Sequence, residues 1–150
     1  MASIEEEIKQ KKFDNEYHKL LINIMFTSSW LSGLQGVFFK KHGLTAQQYN
    51  ALRILRGQHP KAASVNILKE RMIDKMSNVS RIIDKLKDKQ LVTRKPCKDD
   101  RRQVDVKITD KGLQILDEID SEMKIWEQGL HNISEEEAQS VNAILDRWRG

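Results

Sequence analysis

Apolar residues recur at largely helical spacing through residues 4–41, at Ile4, Ile8, Leu20, Leu21, Ile24, Met25, Leu31, Leu34 and Phe38. This predicts a long helix, unbroken or interrupted once. Gly33 and Gly36 each cost about 1 kcal/mol against alanine in a helix interior, so a bend is expected there. His42-Gly43-Leu44 breaks the pattern. Thr45 and Gln48 form a capping box that opens a helix carrying Tyr49, Leu52, Ile54 and Leu55 and ending before Pro60. Ser64 is placed to cap a short helix over 65–72, with Val65, Leu68 and Met72 inward. Ile73-Asp74 reads as a tight turn. A helix over 75–89 follows, with Met76, Val79, Ile82, Ile83 and Leu86 on one side.

Leu91 to Lys95 reads as a strand and Pro96 to Gln103 as a charged loop. Val104-Asp105-Val106-Lys107-Ile108 alternates with the period of two expected of a half-buried strand, which makes a β-hairpin. Thr109 caps a helix over about 110–130, with Ile115, Leu116, Ile119, Met123, Trp126 and Leu130 on one face. Ser134 and Glu137 form a second capping box, opening a last helix with Ala138, Val141, Ile144, Leu145 and Trp148. Three helices followed by a hairpin is the order of a winged helix-turn-helix. The expected fold is mainly α with a small β-hairpin wing. The whole chain is read as one domain, with a DNA-reading lobe at 45–111 and helical dimerisation regions at 1–44 and 112–150. The terminal helices carry more apolar surface than one small lobe covers, and a second copy of the chain is the simplest partner. Ile4, Ile8, Ile144, Leu145 and Trp148 are the candidate dimer contacts.

Charge sharpens this picture. The chain of 150 residues has a net charge of +4, but residues 65–111 carry +6 and residues 112–150 carry −6. A basic block beside an acidic arm suits a phosphate backbone, although a solvated charged face has the same composition. The outer side of the 75–89 helix supplies the chemistry. Ser77, Asn78, Arg81 and Lys85 cluster opposite the apolar face; small residues admit close approach to a major groove, Asn pairs with adenine and Arg with guanine. Any exposed helix could carry such residues, but the short helix and turn ahead of this one favour DNA reading. Ser64, Asn66, Lys75 and Ser80 join the candidate contacts. In the hairpin, Lys98, Asp100, Arg101 and Arg102 form a charged tip whose arginine can enter a narrow minor groove. Asp100 is expected to orient Arg102 or Arg81.

The stretch Asp100-Arg101-Arg102-Gln103-Val104-Asp105-Val106-Lys107-Ile108-Thr109-Asp110-Lys111-Gly112 closely resembles the wing signature of the MarR (multiple antibiotic resistance regulator) family: Asp-x-Arg, three residues, Val-x-Leu-Thr, then Gly. Asn78-Val79-Ser80-Arg81-Ile82-Ile83-Asp84-Lys85-Leu86 resembles the same family's recognition helix, and Leu91-Val92-Thr93-Arg94 the strand after it. The resemblance implies an obligate, triangular homodimer built from the terminal helices. It implies binding of double-stranded DNA at a pseudo-palindromic operator, usually as a repressor. The helix matching 75–89 lies in the major groove and the residue matching Arg102 in the minor groove. Many members release DNA when a small aromatic or phenolic acid binds between the dimer helices and the DNA-reading lobe. Others sense oxidants through cysteine. Two positions depart from the pattern. Ile108 replaces the common Leu without consequence. Gln90 stands where the family usually has Gly, and since a left-handed backbone is strained for Gln, a different local turn is expected.

Remaining features add little. Phe26, Trp30 and Tyr49 are candidate effector-pocket residues, although aromatics at helical spacing more often form plain core. Cys97 is the only cysteine, which excludes an internal disulfide. Lys95 and Lys98 could lower its pKa, but an ordinary thiol is the favoured reading. The four histidines lack metal-ligand spacing, and no metal or other cofactor is expected. With no phosphate loop or catalytic arrangement, an enzyme is not expected. The acidic start and the lack of a long apolar run point to a cytoplasmic chain without a membrane partner. The rival reading is a winged helix used only for protein binding, which should expose apolar anchors on the 75–89 face.

Overall fold

The computed structural model describes residues 2–96 and 104–150. The chain is mostly helical, with a small antiparallel sheet. Helix α1 (Ile4–Glu7) is capped by Ser3 and tied to the next helix by a Lys19–Glu5 ion pair of 2.6 Å. The Lys19 ammonium, donating to Glu5, holds that carboxyl below the usual range.

Helix α2 (Glu16–Lys40) runs without interruption through Gly33 and Gly36. The long N-terminal helix is therefore broken, but not at its glycines. The break lies at residues 8–15, where Lys9 takes a left-handed backbone (φ 55°) and Asn15 caps α2 by accepting from the His18 N–H at 2.9 Å. A cap satisfies backbone donors that continuing the helix would otherwise occupy, so local polar chemistry outweighed glycine propensity in setting the boundary.

Helix α3 (Ala46–Gln58) opens on the expected Thr45–Gln48 box. Strand β1 (Ala63–Ser64) was not foreseen. At two residues it is too short to carry a periodic signal, and pairing to a distant strand creates it. Ser64 then caps α4 (Val65–Arg71). Helix α5 (Val79–Asp88) starts four residues later than expected. In front of it the chain forms a longer turn. Asn50 accepts from the Ile73 N–H at 2.9 Å, Asp74 Oδ1 from the Met76 N–H at 2.9 Å, and Asp74 O from the Ser77 N–H at 3.2 Å. Asp and Asn side chains commonly offer backbone such alternatives to helix. Met76, placed by its spacing on the apolar side of this helix, is 92% exposed.

The hairpin forms from β2 (Val92–Pro96) and β3 (Val104–Ile108). Pro96, expected in the loop, ends β2 opposite Val104, and the sheet order is β1-β3-β2. Helices α6 (Asp110–Gln128) and α7 (Glu135–Arg149) begin at Thr109 and Ser134, as the sequence indicates.

The core lies where α3, α4, α5, the sheet and α6 meet. Leu52, Leu55, Leu68, Ile83, Leu86, Val106, Leu116 and Ile119 are fully buried there. Phe39 stacks on Tyr49 with ring centres 4.4 Å apart, and Phe38 packs against Trp126 at 5.5 Å. Arg56 of α3 pairs with Asp120 of α6 at 2.7 Å, and Lys41 pairs with Glu122 of α6. These contacts seat the lobe against α6. Among the described residues, no helix is long and apolar enough to cross a membrane.

Candidate nucleic-acid interface

Helix α5 is fixed from beneath by Val79, Ile83 and Leu86, each almost wholly buried. Its opposite side is therefore held outward by packing rather than by its polarity alone. Arg81 and Lys85 are exposed on that side, as are Ser80 and Asp84. Among the described residues, no carboxylate pairs with Arg81 or Lys85. Asn78 is the N-cap of α5, and its Oδ1 accepts from the Arg81 N–H at 3.1 Å. This revises its chemistry. An adenine-type bidentate contact uses both the amide oxygen and the amide nitrogen, and here the oxygen already serves the helix, which leaves the NH2 as the outward group.

Helix α5 is flanked on two sides. Towards the start of α3 it borders a cleft of about 460 Å³. Thr45, Gln47 and Gln48 line one wall, with Ser77, Asn78, Arg81 and Lys85 on the other. Ser77 Oγ is buried there without a protein hydrogen-bond partner. From sequence Thr45 and Gln48 read only as a capping box and Gln47 carries no signal, because their approach to α5 depends on the tertiary fold. On the other flank, Arg94 of β2 donates to Asp84 of α5 at 2.7 Å. This ion pair links the hairpin to α5, a contact that the sequence reading did not name.

The other sequence candidates fall out as follows. Ser64 is half-buried and engaged as the α4 cap, accepting from the Ile67 N–H at 3.2 Å. Asn66 is exposed on α4. Lys75 is exposed, with its ammonium donating to the Glu70 carbonyl at 2.6 Å. Lys98, Asp100, Arg101 and Arg102, with Cys97, lie outside the described residues. Of the aromatic candidates, Tyr49 is buried against Phe39 and its hydroxyl accepts from Arg53 at 2.9 Å, a bond that raises the Arg53 pKa above its ordinary value. Phe26 is half-buried and Trp30 is half-exposed on α2. Ile4 is buried within its own chain and Ile8 half-buried, Leu145 is half-buried, and Ile144 and Trp148 are exposed.

Gln90 takes the left-handed backbone (φ 62°) that the sequence pattern reserves for glycine. The expected departure of this turn does not occur. The Leu91 N–H donates to Leu86 O at 3.0 Å and Thr109 Oγ1 to Gln90 O at 2.9 Å, so the surrounding contacts hold the turn despite the side chain.

Comparison with known proteins gives a consistent result. Residues 44–104 match the model of the MarR family. The HTH-type transcriptional regulator MhqR of Bacillus subtilis (strain 168) is 30% identical over 111 residues, which cover 71% of this chain and 73% of MhqR. A MarR transcription factor of Planctomyces limnophilus aligns in structure with a TM-score of 0.69 at 27% identity, covering 90% of this chain and 98% of the other. The S. aureus MepR–DNA complex aligns with a TM-score of 0.76 at 20% identity, covering 91% and 97%, which shows a shared fold.

Proposed function

This chain belongs to the MarR family of DNA-binding transcription regulators, and from that premise we propose that it acts as a homodimer on a pseudo-palindromic operator and represses transcription there. The observation that carries the reading is the outward face of α5. Its buried side is anchored by Val79, Ile83 and Leu86, while Ser80, Arg81 and Lys85 stand exposed. The positive end of the helix, at Asn78, favours nearby phosphates. In this reading Arg81 and the Asn78 amide meet base edges, and Lys75 and Lys85 meet phosphates; Ser77, a sequence candidate for base contact, has its hydroxyl buried and is withdrawn from that role. Arg102, which the wing signature nominates and which lies outside the described residues, enters the minor groove.

The dimer reading rests on α7. That helix contributes no buried residue, and Val141, Ile144 and Trp148 are each nearly half exposed. Such a row of apolar side chains on a helix with no core of its own is relieved when a second copy covers it. Two α5 helices related by a two-fold axis then address half-sites about 10 bp apart.

We further propose release of DNA by a small aromatic or phenolic acid bound between α2 and the DNA-reading lobe. Tyr49 is already occupied by Phe39 and Arg53. The ligand would therefore meet Phe26 and Trp30 rather than the Tyr49 ring.

Selecting bound fragments from a random duplex pool, with sedimentation of the recovered complexes, tests the reading. An enriched sequence with inverted half-sites, bound by two chains, is the expected result. Failure to enrich any sequence overturns it.

A further inference from the structure

Among the described residues, most exposed large apolar side chains sit on α2, α6 and α7 or, as Ile133, between the last two, the surfaces that the dimer reading covers. Two do not. Ile73 (85% exposed) and Met76 (92% exposed) stand on the turn between α4 and α5. Keeping a methionine side chain in water forgoes a transfer free energy that the chain collects at nearly all its core positions. A mobile loop could carry such a residue idly, but this turn is held at three points. The Ile73 N–H donates to Asn50, the Met76 N–H to the Asp74 carboxylate, and the Ser77 N–H to the Asp74 carbonyl. Met76 is thus presented on fixed backbone, two residues ahead of the Asn78 cap that opens the recognition helix.

The chemistry around it limits the partner. Near it in sequence stand Lys75, Ser77, Asn78 and Arg81, which are cations and hydrogen-bonding groups, and Asp74, whose carboxylate accepts from the Met76 N–H. A surface built to dock a protein places its apolar anchors within a wider apolar patch, ringed by polar residues. Here only two exposed large apolar side chains stand on the turn, Ile73 and Met76, and Met76 is the one that lies beside the polar and cationic residues at the start of α5. In a major groove the apolar feature of a base edge is the thymine 5-methyl group. An unbranched, polarisable side chain adapts well to such a target.

We propose that Met76 is a specificity-determining residue that packs on the 5-methyl of one thymine in each operator half-site. This rests on the DNA-reading role proposed for α5. It adds a preference for thymine that the hydrogen-bonding residues do not supply.

The test uses the full chain and the operator recovered by selection. Each thymine of one half-site is replaced in turn by deoxyuridine, which removes only the methyl group. Affinity is measured for the wild type, Met76→Ala and Ile73→Ala. Loss of one apolar carbon contact predicts a drop of about fourfold at one thymine for the wild type. The same replacement should have no effect on Met76→Ala, while Ile73→Ala keeps the wild-type sensitivity. Because Met76 is exposed, the alanine variant should melt as the wild type does. Three results overturn the assignment: no thymine is methyl-sensitive; the sensitivity survives in Met76→Ala; or it is lost in Ile73→Ala instead. In each of these the DNA-reading role of α5 stands. If selection recovers no operator at all, that role fails first and this inference with it.

Discussion

Arg94 Nη1 donates to Asp84 Oδ1 at 2.7 Å, joining the first strand of the wing to the outer side of α5. The pair is partly exposed, with side-chain exposures of 37% and 56%. Its energetic value should be small even though its geometry sets where the hairpin lies. A double-mutant cycle with Asp84→Ala and Arg94→Ala, read by urea unfolding, should give a coupling of about 0.2–1 kcal/mol that shrinks in 1 M salt. Zero coupling at low salt would mean that the two side chains do not tether the wing.

Gln90 offers a test of backbone strain. A left-handed backbone costs an ordinary residue about 1–2 kcal/mol. Replacing it with glycine gives back about 0.4–1 kcal/mol through the freer unfolded chain. Gln90→Gly should therefore stabilise the protein by up to about 1.6 kcal/mol, measured by thermal or urea unfolding. A destabilised variant would show that the Gln90 side chain contributes more than its backbone costs.

Gly112 shows the opposite behaviour. A Cβ there would come within 2.4 Å of the Leu91 carbonyl oxygen and 2.7 Å of Ile108 Cγ1. Neither neighbour moves easily, since one is backbone and the other lies in the core sheet. Gly112→Ala should destabilise by about 1–3 kcal/mol, the usual cost of forcing an extra carbon into a packed site. Unchanged stability would place the start of α6 further from β3 than described.

The dimer reading predicts that Ile144→Glu shifts the chain towards monomer in sedimentation. Helix α7 has no buried residues, so the substitution should leave the α3–α6 core folded, with a circular dichroism spectrum like that of the wild type. Operator affinity should fall with dimerisation, because one chain grips one half-site. A dimer of undiminished stability would move the interface away from α7.

Arg81→Ala and Arg102→Ala should each weaken operator binding by about 1–3 kcal/mol in gel-shift titrations. Wild-type affinity should also fall steeply as salt rises. Arg81 rests on its exposed place on α5 and Arg102 on the wing signature alone, so unchanged affinity in either would remove that residue from the interface without touching the other.

Much of this was legible in the chain itself. Thr45, Thr109 and Ser134 opened their helices as read, because a capping side chain and the N–H it serves lie three residues apart. Alternation along 104–108 set β3 to the residue, and the apolar stripe of α6 faced the core. The polar face of α5 was visible as a pattern, and Arg81 and Lys85 were named from it.

Contacts between residues far apart in sequence decided the rest. Asn50 reaches across 23 positions to hold Ile73 in a longer turn, and Met76, on the apolar side of the predicted helix, stands exposed on that turn instead. Strand β1 exists only because Val106 and Asp105 lie beside Ala63 and Ser64. Gln90 keeps a glycine's backbone because bonds from Thr109 and Leu91 over-determine its turn. Short-range hydrogen bonding and periodicity are written in the order of residues. Which flank of a helix meets another element, and what that contact makes affordable, follows only from the closed chain.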